Sequence, residues 1–123
     1  MIGKIYSSVT PFYDSATGTN SYKRRPVLII AGPRNHDYTV LPVSTIPHKE
    51  NIDPDYDVKV KPEDYPKLNL KKVSYIRTHK QTSVHQASLV REIGDLRTEY
   101  DGLYLAVLEK LEKFNKTVLD GAL

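Results

Sequence analysis

At 123 residues the chain fits one domain (1–123) with a single modest hydrophobic core, and having no cysteine it has neither a disulfide framework nor thiolate metal ligands. Its longest apolar stretch, Val27 to Gly32, is far too short to cross a bilayer, and MIGKIYSSV lacks a signal-peptide core, so no membrane association and a cytoplasmic location are expected. The formal charge of +3 conceals an asymmetry, since residues 1–91 carry 14 Lys/Arg against 8 Asp/Glu and residues 92–123 carry 4 against 7. A basic body suits RNA or DNA, although solvated domains with no polyanion to bind carry similar excesses.

KIYSSV (Lys4 to Val9) has strand character, and TPFYDSATGTNSYK has no apolar period, so residues 10–24 read as a long polar loop. RPVLIIAG follows as a strand opening with Pro26, GPRNHD supplies a turn, and YTVLPVST resumes as a second strand. The short polar connection makes these two an antiparallel hairpin. Such pairing sets the start of one strand beside the end of the other, bringing Arg25 near Ser44.

Residues 46–57, polar and interrupted by proline, read as a second exposed loop. DVKVK alternates as a short strand, PEDYPKLNLKK as a turn or single helical turn, and VSYIRTHKQ alternates again, placing Val73, Tyr75, Arg77 and His79 on one face. TSVHQASL is ambiguous between strand and 3₁₀ structure, and VREIGDL reads as a last strand. A helix over about 98–116 has Thr98 and Asp101 spaced as a capping box, and Tyr100, Leu103, Tyr104, Val107, Leu108, Leu111 and Phe114 form an apolar stripe for the sheet. The sum is a compact, strongly curved antiparallel sheet or small barrel with one terminal helix.

Among possible chemistries, a metal centre lacks a motif, because His36, His48, His79 and His85 fall in separate segments. No Walker loop, Gly-x-Gly-x-x-Gly or nucleophile elbow is present. What remains is polar residues at strand ends: Arg24 and Arg25, Ser44 and Thr45, Arg77 and His79. Cleaving RNA without a metal needs a base for the ribose 2′-hydroxyl, a cation for the phosphorane-like transition state and an acid for the departing 5′-oxygen. Histidine can serve as base or acid, arginine offers forked donors to phosphate, and hydroxyls hold the phosphate in register. The same residues can equally be surface ion pairs, strand-end hydroxyls and an exposed histidine.

The order of motifs resembles the MazF/PemK family of toxin endoribonucleases: G-x-I-Y (Gly3 to Tyr6), a long Gly-containing loop, RRPVLII, a strand ending PVST, VSYIRTHKQ and a final amphipathic helix. The resemblance runs from Gly3 to about Phe114. It implies a mainly β fold, a small SH3-like antiparallel barrel of the MazF/PemK/CcdB type with a C-terminal helix. It also implies a cytoplasmic homodimer that cuts single-stranded mRNA with no cofactor, leaving a 2′,3′-cyclic phosphate and a 5′-hydroxyl, and a cognate antitoxin that covers the RNA groove.

Carried over by motif, Arg25, Ser44, Arg77 and His79 fall at catalytic positions, and their neighbours Arg24, Thr45, Lys80 and Gln81 are expected to bind substrate. His79 departs from the family's acidic residue after Arg-x, and a neutral imidazole can accept the same proton. The segment between Thr45 and Asp57 is longer than the family pattern. Phe12, Tyr13 and Tyr22 could stack on bases or pack their own loop down. A non-catalytic toxin or binding module on the same fold, for example one directed at gyrase, is the alternative implied.

Overall fold

The structure, a computed structural model, describes the backbone of residues 1–123 and every side chain except those of residues 11 and 12. Seven strands form one antiparallel system: β1 (Lys4–Asp14), β2 (Thr19–Arg34), β3 (Asp37–Ser44), β4 (Asp57–Val60), β5 (Ser74–Arg77), β6 (Thr82–His85) and β7 (Leu89–Asp95). Their lateral order is β4-β5-β3-β2-β1-β7, with β6 also paired to β3. Two helices close the chain, α1 (Leu96–Glu99) and α2 (Asp101–Ala122). The sheet curls into a half-barrel around Ile5, Leu28, Leu41, Val43, Val60 and Ile76, and α2 lays Tyr104, Val107 and Leu111 into its concave face. The expected mainly β barrel with a C-terminal helix is thus what the chain forms. Each of those fully buried aliphatic side chains contributes about 1.5–3 kcal/mol relative to exposure.

β2 and β3 are the central strands. Leu28 and Leu41 point into the half-barrel, whereas Val27, Ile29, Tyr38 and Val40 form a second cluster on the other face, with Ile2, Tyr6, Val84 and Leu89 against it. Burial on both faces explains why VLII is continuously apolar. The connection between the two strands is tight because Asn35 and His36 both take positive φ (52° and 69°), as a two-residue primed turn requires. The hairpin anticipated from the sequence is present.

Four local expectations are revised. Residues 10–24 are not a loop: β1 and β2 stay paired out to Asp14↔Thr19, as a ribbon turning through residues 15–18. The Asp14 carboxylate accepts from the Ala16 N–H at 2.9 Å, and Gly18 takes the positive φ that closes the turn. Neither ribbon strand shows apolar alternation because most of its side chains face water. Tyr13 and Tyr22 are 66% and 72% exposed, so they do not pack the segment down; the expectation for Phe12 falls on a side chain outside the described ones.

The Thr98–Asp101 capping box does not form either. The carboxylate of Asp95 accepts from the Thr98 N–H at 3.1 Å and caps α1, while α2 starts afresh after Tyr100 with no side-chain cap. Finally, β5 ends at Arg77, so His79 is not on a strand; Lys80 N–H donates to Arg77 O at 3.1 Å across a turn. On β5 the buried face is Ser74 and Ile76, continued by Thr78, and Tyr75 and Arg77 lie half-buried opposite, with Val73 left exposed before the strand.

Candidate active site

A cleft of about 660 Å³ opens where the ends of β3 and β5 meet Arg25, the last residue of the exposed first part of β2. Its size falls inside the roughly 300–1,000 Å³ typical of ligand sites. Arg25, Ser44, Thr45, Arg77, His79 and Lys80 line it, together with Glu50, Asn51, Asp53 and Asp55 from the segment before β4. Six of the eight residues singled out from the sequence therefore share one cavity. The two others do not line it: Arg24 pairs opposite Val9 on the ribbon, and Gln81 is exposed in the link between β5 and β6.

Register explains the convergence. β2 and β3 pair Val27 with Pro42, and the same register carried two pairs further sets Arg25 opposite Ser44. β3 then pairs Val43 with Ile76 and Ser44 with Tyr75 of β5, so Arg77 follows one residue after the pair to Val43, and the turn after it carries His79 and Lys80 to the same cleft. Arg25 and Ser44 also line a second, smaller groove of about 290 Å³ with Pro26, Val27, Pro42 and Val84. They stand on the ridge between the two hollows. Among the described residues the Arg25 guanidinium and the Lys80 ammonium make no hydrogen bond or ion pair, so both are available to an anion.

The opposite wall is tied down. Asp57, whose side chain is fully buried, lies directly across from Arg77 in the β4–β5 register. Arg77 donates from Nε to Asp57 Oδ1 at 3.1 Å and from Nη2 to Asp57 Oδ2 at 3.4 Å, the forked pairing that suits a guanidinium to a carboxylate. Arg77 Nη2 also donates to the carbonyl of Asn51 at 3.1 Å, and the Asp53 N–H donates to Asp57 Oδ2 at 2.8 Å. Asp53 in turn accepts from the N–H groups of Asp55 and Tyr56 through its own carboxylate at 2.9 and 3.0 Å. Lys110 of α2 reaches the Asp55 carbonyl at 2.8 Å. The stretch read as an exposed loop is thus a braced wall from Asn51 to Asp57.

His79 sits against this wall, its side chain 12% exposed. The turn that carries it is pinned by Thr78, fully buried, whose hydroxyl donates to the Tyr56 carbonyl at 2.6 Å. The imidazole packs against Tyr56 and Phe114, ring centroids 6.3 and 6.1 Å away, and those two rings meet edge to face at 5.0 Å. Its Nδ1 lies 3.7 Å from Asp57 Oδ1. Hence Arg77 and His79 do converge, through a common carboxylate rather than along one strand face.

Asp57 is the residue that sequence reasoning missed. A signal was present: in an antiparallel pair of four-residue strands, the first residue of DVKV faces the last of SYIR, which matches an acid to a base across the ladder. Among the described residues no three His, Asp or Glu side chains are arranged to hold a metal ion, and no helix is long and apolar enough to cross a membrane.

The sequence matches a family model, described as PemK-like, MazF-like toxin of type II toxin-antitoxin system, over residues 4–114. No curated protein matches it in sequence. Among solved structures it is similar to the Mycobacterium tuberculosis toxin MazF-mt6, with a TM-score of 0.62 and 19% identity, over 90% of this chain and 96% of that one. At that identity the likeness is one of fold. The family match takes in all seven strands and α2 as far as Phe114, the ring that backs His79, and the chain accordingly belongs to the PemK-like, MazF-like family of type II toxins, for which an antitoxin is the implied partner.

Proposed function

We propose that this toxin is an endoribonuclease that cuts single-stranded mRNA with its own side chains as catalysts. The observation that carries the reading is the convergence of Arg25, Ser44, Arg77 and His79, from three strands and a turn, on one cleft together with Thr45 and Lys80. A phosphodiester seated at the Arg25–Ser44 ridge has a free guanidinium for its non-bridging oxygens and hydroxyls to fix its orientation. His79 handles the proton, taking it from the 2′-hydroxyl or delivering it to the 5′-oxygen. The 2′-oxygen bonds to phosphorus as the P–O5′ bond breaks, giving a 2′,3′-cyclic phosphate and a 5′-hydroxyl. Preorganised charge at the phosphate is the term from which most of the acceleration would come.

Arg77, paired to Asp57, presents less free charge than Arg25, and its part is to hold the wall while its remaining N–H groups face the cleft. Lys80 and the exposed Tyr13 and Tyr22 extend the surface for the strand on either side. The working unit is a homodimer, with the antitoxin competing for the same cleft. Arg24 and Gln81, outside the cleft, would touch RNA only beyond the scissile phosphate.

The test is incubation of the purified, antitoxin-free protein with a long RNA in EDTA, followed by end mapping. Discrete cuts with cyclic-phosphate and 5′-hydroxyl ends are expected. Intact RNA in the presence of demonstrably folded protein would leave a binding toxin on this fold as the reading.

A further inference from the structure

Among the described residues two buried side-chain polar atoms lack a hydrogen-bond partner, Ser8 Oγ and His79 Nδ1. The second belongs to a residue that lines the cleft. A buried ring nitrogen left unpaired costs about 1–3 kcal/mol, so a nearby group able to satisfy it carries real weight. The group that faces it is Asp57 Oδ1, at 3.7 Å, a little beyond hydrogen-bond length. That oxygen accepts one bond, from Arg77 Nε, and a carboxylate oxygen has room for a second. Oδ2 is already engaged by the Asp53 N–H and Arg77 Nη2, so the carboxylate cannot rotate away to serve another group.

We infer that Asp57 is the positioning residue for His79: it holds the neutral imidazole with hydrogen on Nδ1, leaves the Nε2 lone pair for the cleft, and so makes His79 the base for the 2′-hydroxyl. The inference rests on the nuclease reading for its catalytic half only. Asp57 is fully buried and braced by three donors, so it can orient the ring without being solvated or displaced. Phe114 and Tyr56 pack against the ring, and the Thr78 hydroxyl ties the turn to the Tyr56 carbonyl. When Nε2 takes up the proton, the imidazolium faces a carboxylate across a water-poor contact, where a fixed charge is worth more than in water. Arg77 acts in this arrangement through Asp57, holding the carboxylate at the angle that meets both partners. The same constellation of carboxylate, imidazole and a reacting hydroxyl recurs on unrelated folds because it fixes a tautomer.

Two measurements test it. Long-range ¹H–¹⁵N NMR of the imidazole in the unmodified protein should show hydrogen on Nδ1 of neutral His79; hydrogen on Nε2 instead would overturn the inference whether or not RNA is cut. In cleavage assays, Asp57→Asn should lower kcat by on the order of a hundredfold with KM changed less than about threefold, and Asp57→Asn with His79→Ala should cut no more slowly than His79→Ala alone. A fully additive double loss would overturn it. If the unmodified protein cuts no RNA, the nuclease reading falls and the tautomer still decides the pairing. If Asp57→Asn does not fold, the spectrum of the unmodified protein decides alone.

Discussion

On one wall of the cleft, Asp57, Arg77 and His79 are buried or half-buried and bound into the framework through Asn51, Asp53, Thr78 and Phe114. On the other, Arg25, Thr45 and Lys80 are exposed, and neither the Arg25 guanidinium nor the Lys80 ammonium has a partner among the described residues. On the nuclease reading proposed above, the contrast separates two chemical tasks. Proton transfer depends on a tautomer and an angle, which only a rigid, dry setting maintains; collecting a phosphate depends on charge that has not already been spent on a protein carboxylate. Substitutions on the two walls should therefore fail in different ways, and four of them separate the walls.

The largest effect falls on the braced wall. His79→Ala should lower the rate of RNA cleavage by about a hundred- to ten-thousand-fold, while binding of uncut RNA, followed by fluorescence anisotropy, changes little. Turnover close to that of the unmodified toxin would take His79 out of the mechanism. Arg77→Ala belongs to the same wall but should show first in stability. It leaves Asp57 buried with its charge uncompensated, which costs about 3–5 kcal/mol in urea unfolding. Asp57→Asn in the same chain should recover part of that cost. Were the two losses simply to add, the ion pair would be an incidental contact.

The open wall responds through the substrate. Arg25→Ala should leave the urea midpoint unchanged and lower cleavage by about a hundredfold, the scale on which loss of one preorganised donor is felt. An unchanged rate would place the scissile phosphate elsewhere in the cleft.

How much of this was legible in the sequence follows from where the forces act. The α2 stripe and the β2–β3 pairing were readable because burial on one face or on both writes a period into the residues: Tyr104, Val107 and Leu111 recur at helical spacing, and Val27 to Ile29 run unbroken. The ribbon of β1 and β2 beyond Thr10 was not. Its strands hold each other through backbone ladders with most side chains in water, so no alternation marks them and turn formers dominate the reading. Of the site, Arg25, Ser44, Arg77 and His79 were found through motif order, and strand register then brings them together. The path linking Arg77 to His79 was misjudged, because local alternation carries no information about a chain turn pinned by a tertiary bond such as Thr78 to Tyr56. Asp57 was hidden inside a segment whose prolines and charges resemble a solvated loop; only its cross-strand partner gives it meaning.

The smallest expected effect is the one that best distinguishes the two kinds of cation. Lys80 follows His79 in sequence yet belongs with the open wall, since its ammonium has no partner among the described residues and the residue is exposed where it lines the cleft. On the proposed reading a point charge there attracts the strand without touching reacting atoms, so it would strengthen binding of ground state and transition state alike. Lys80→Ala should accordingly raise KM by about threefold to tenfold, with most of the loss in KM rather than kcat. Its second signature is ionic: for a single-stranded ligand, removing one phosphate contact should flatten the plot of log K against log salt by about 0.7. Arg25→Ala should flatten the slope by a similar amount and lower kcat as well. Arg77→Ala, once rescued by Asp57→Asn, should leave the slope almost where it was, because a guanidinium already committed to a carboxylate releases few counterions when RNA arrives. A slope that fell equally for all three would mean that Arg77 exchanges Asp57 for phosphate on binding, and the braced wall would have to open to let the substrate in.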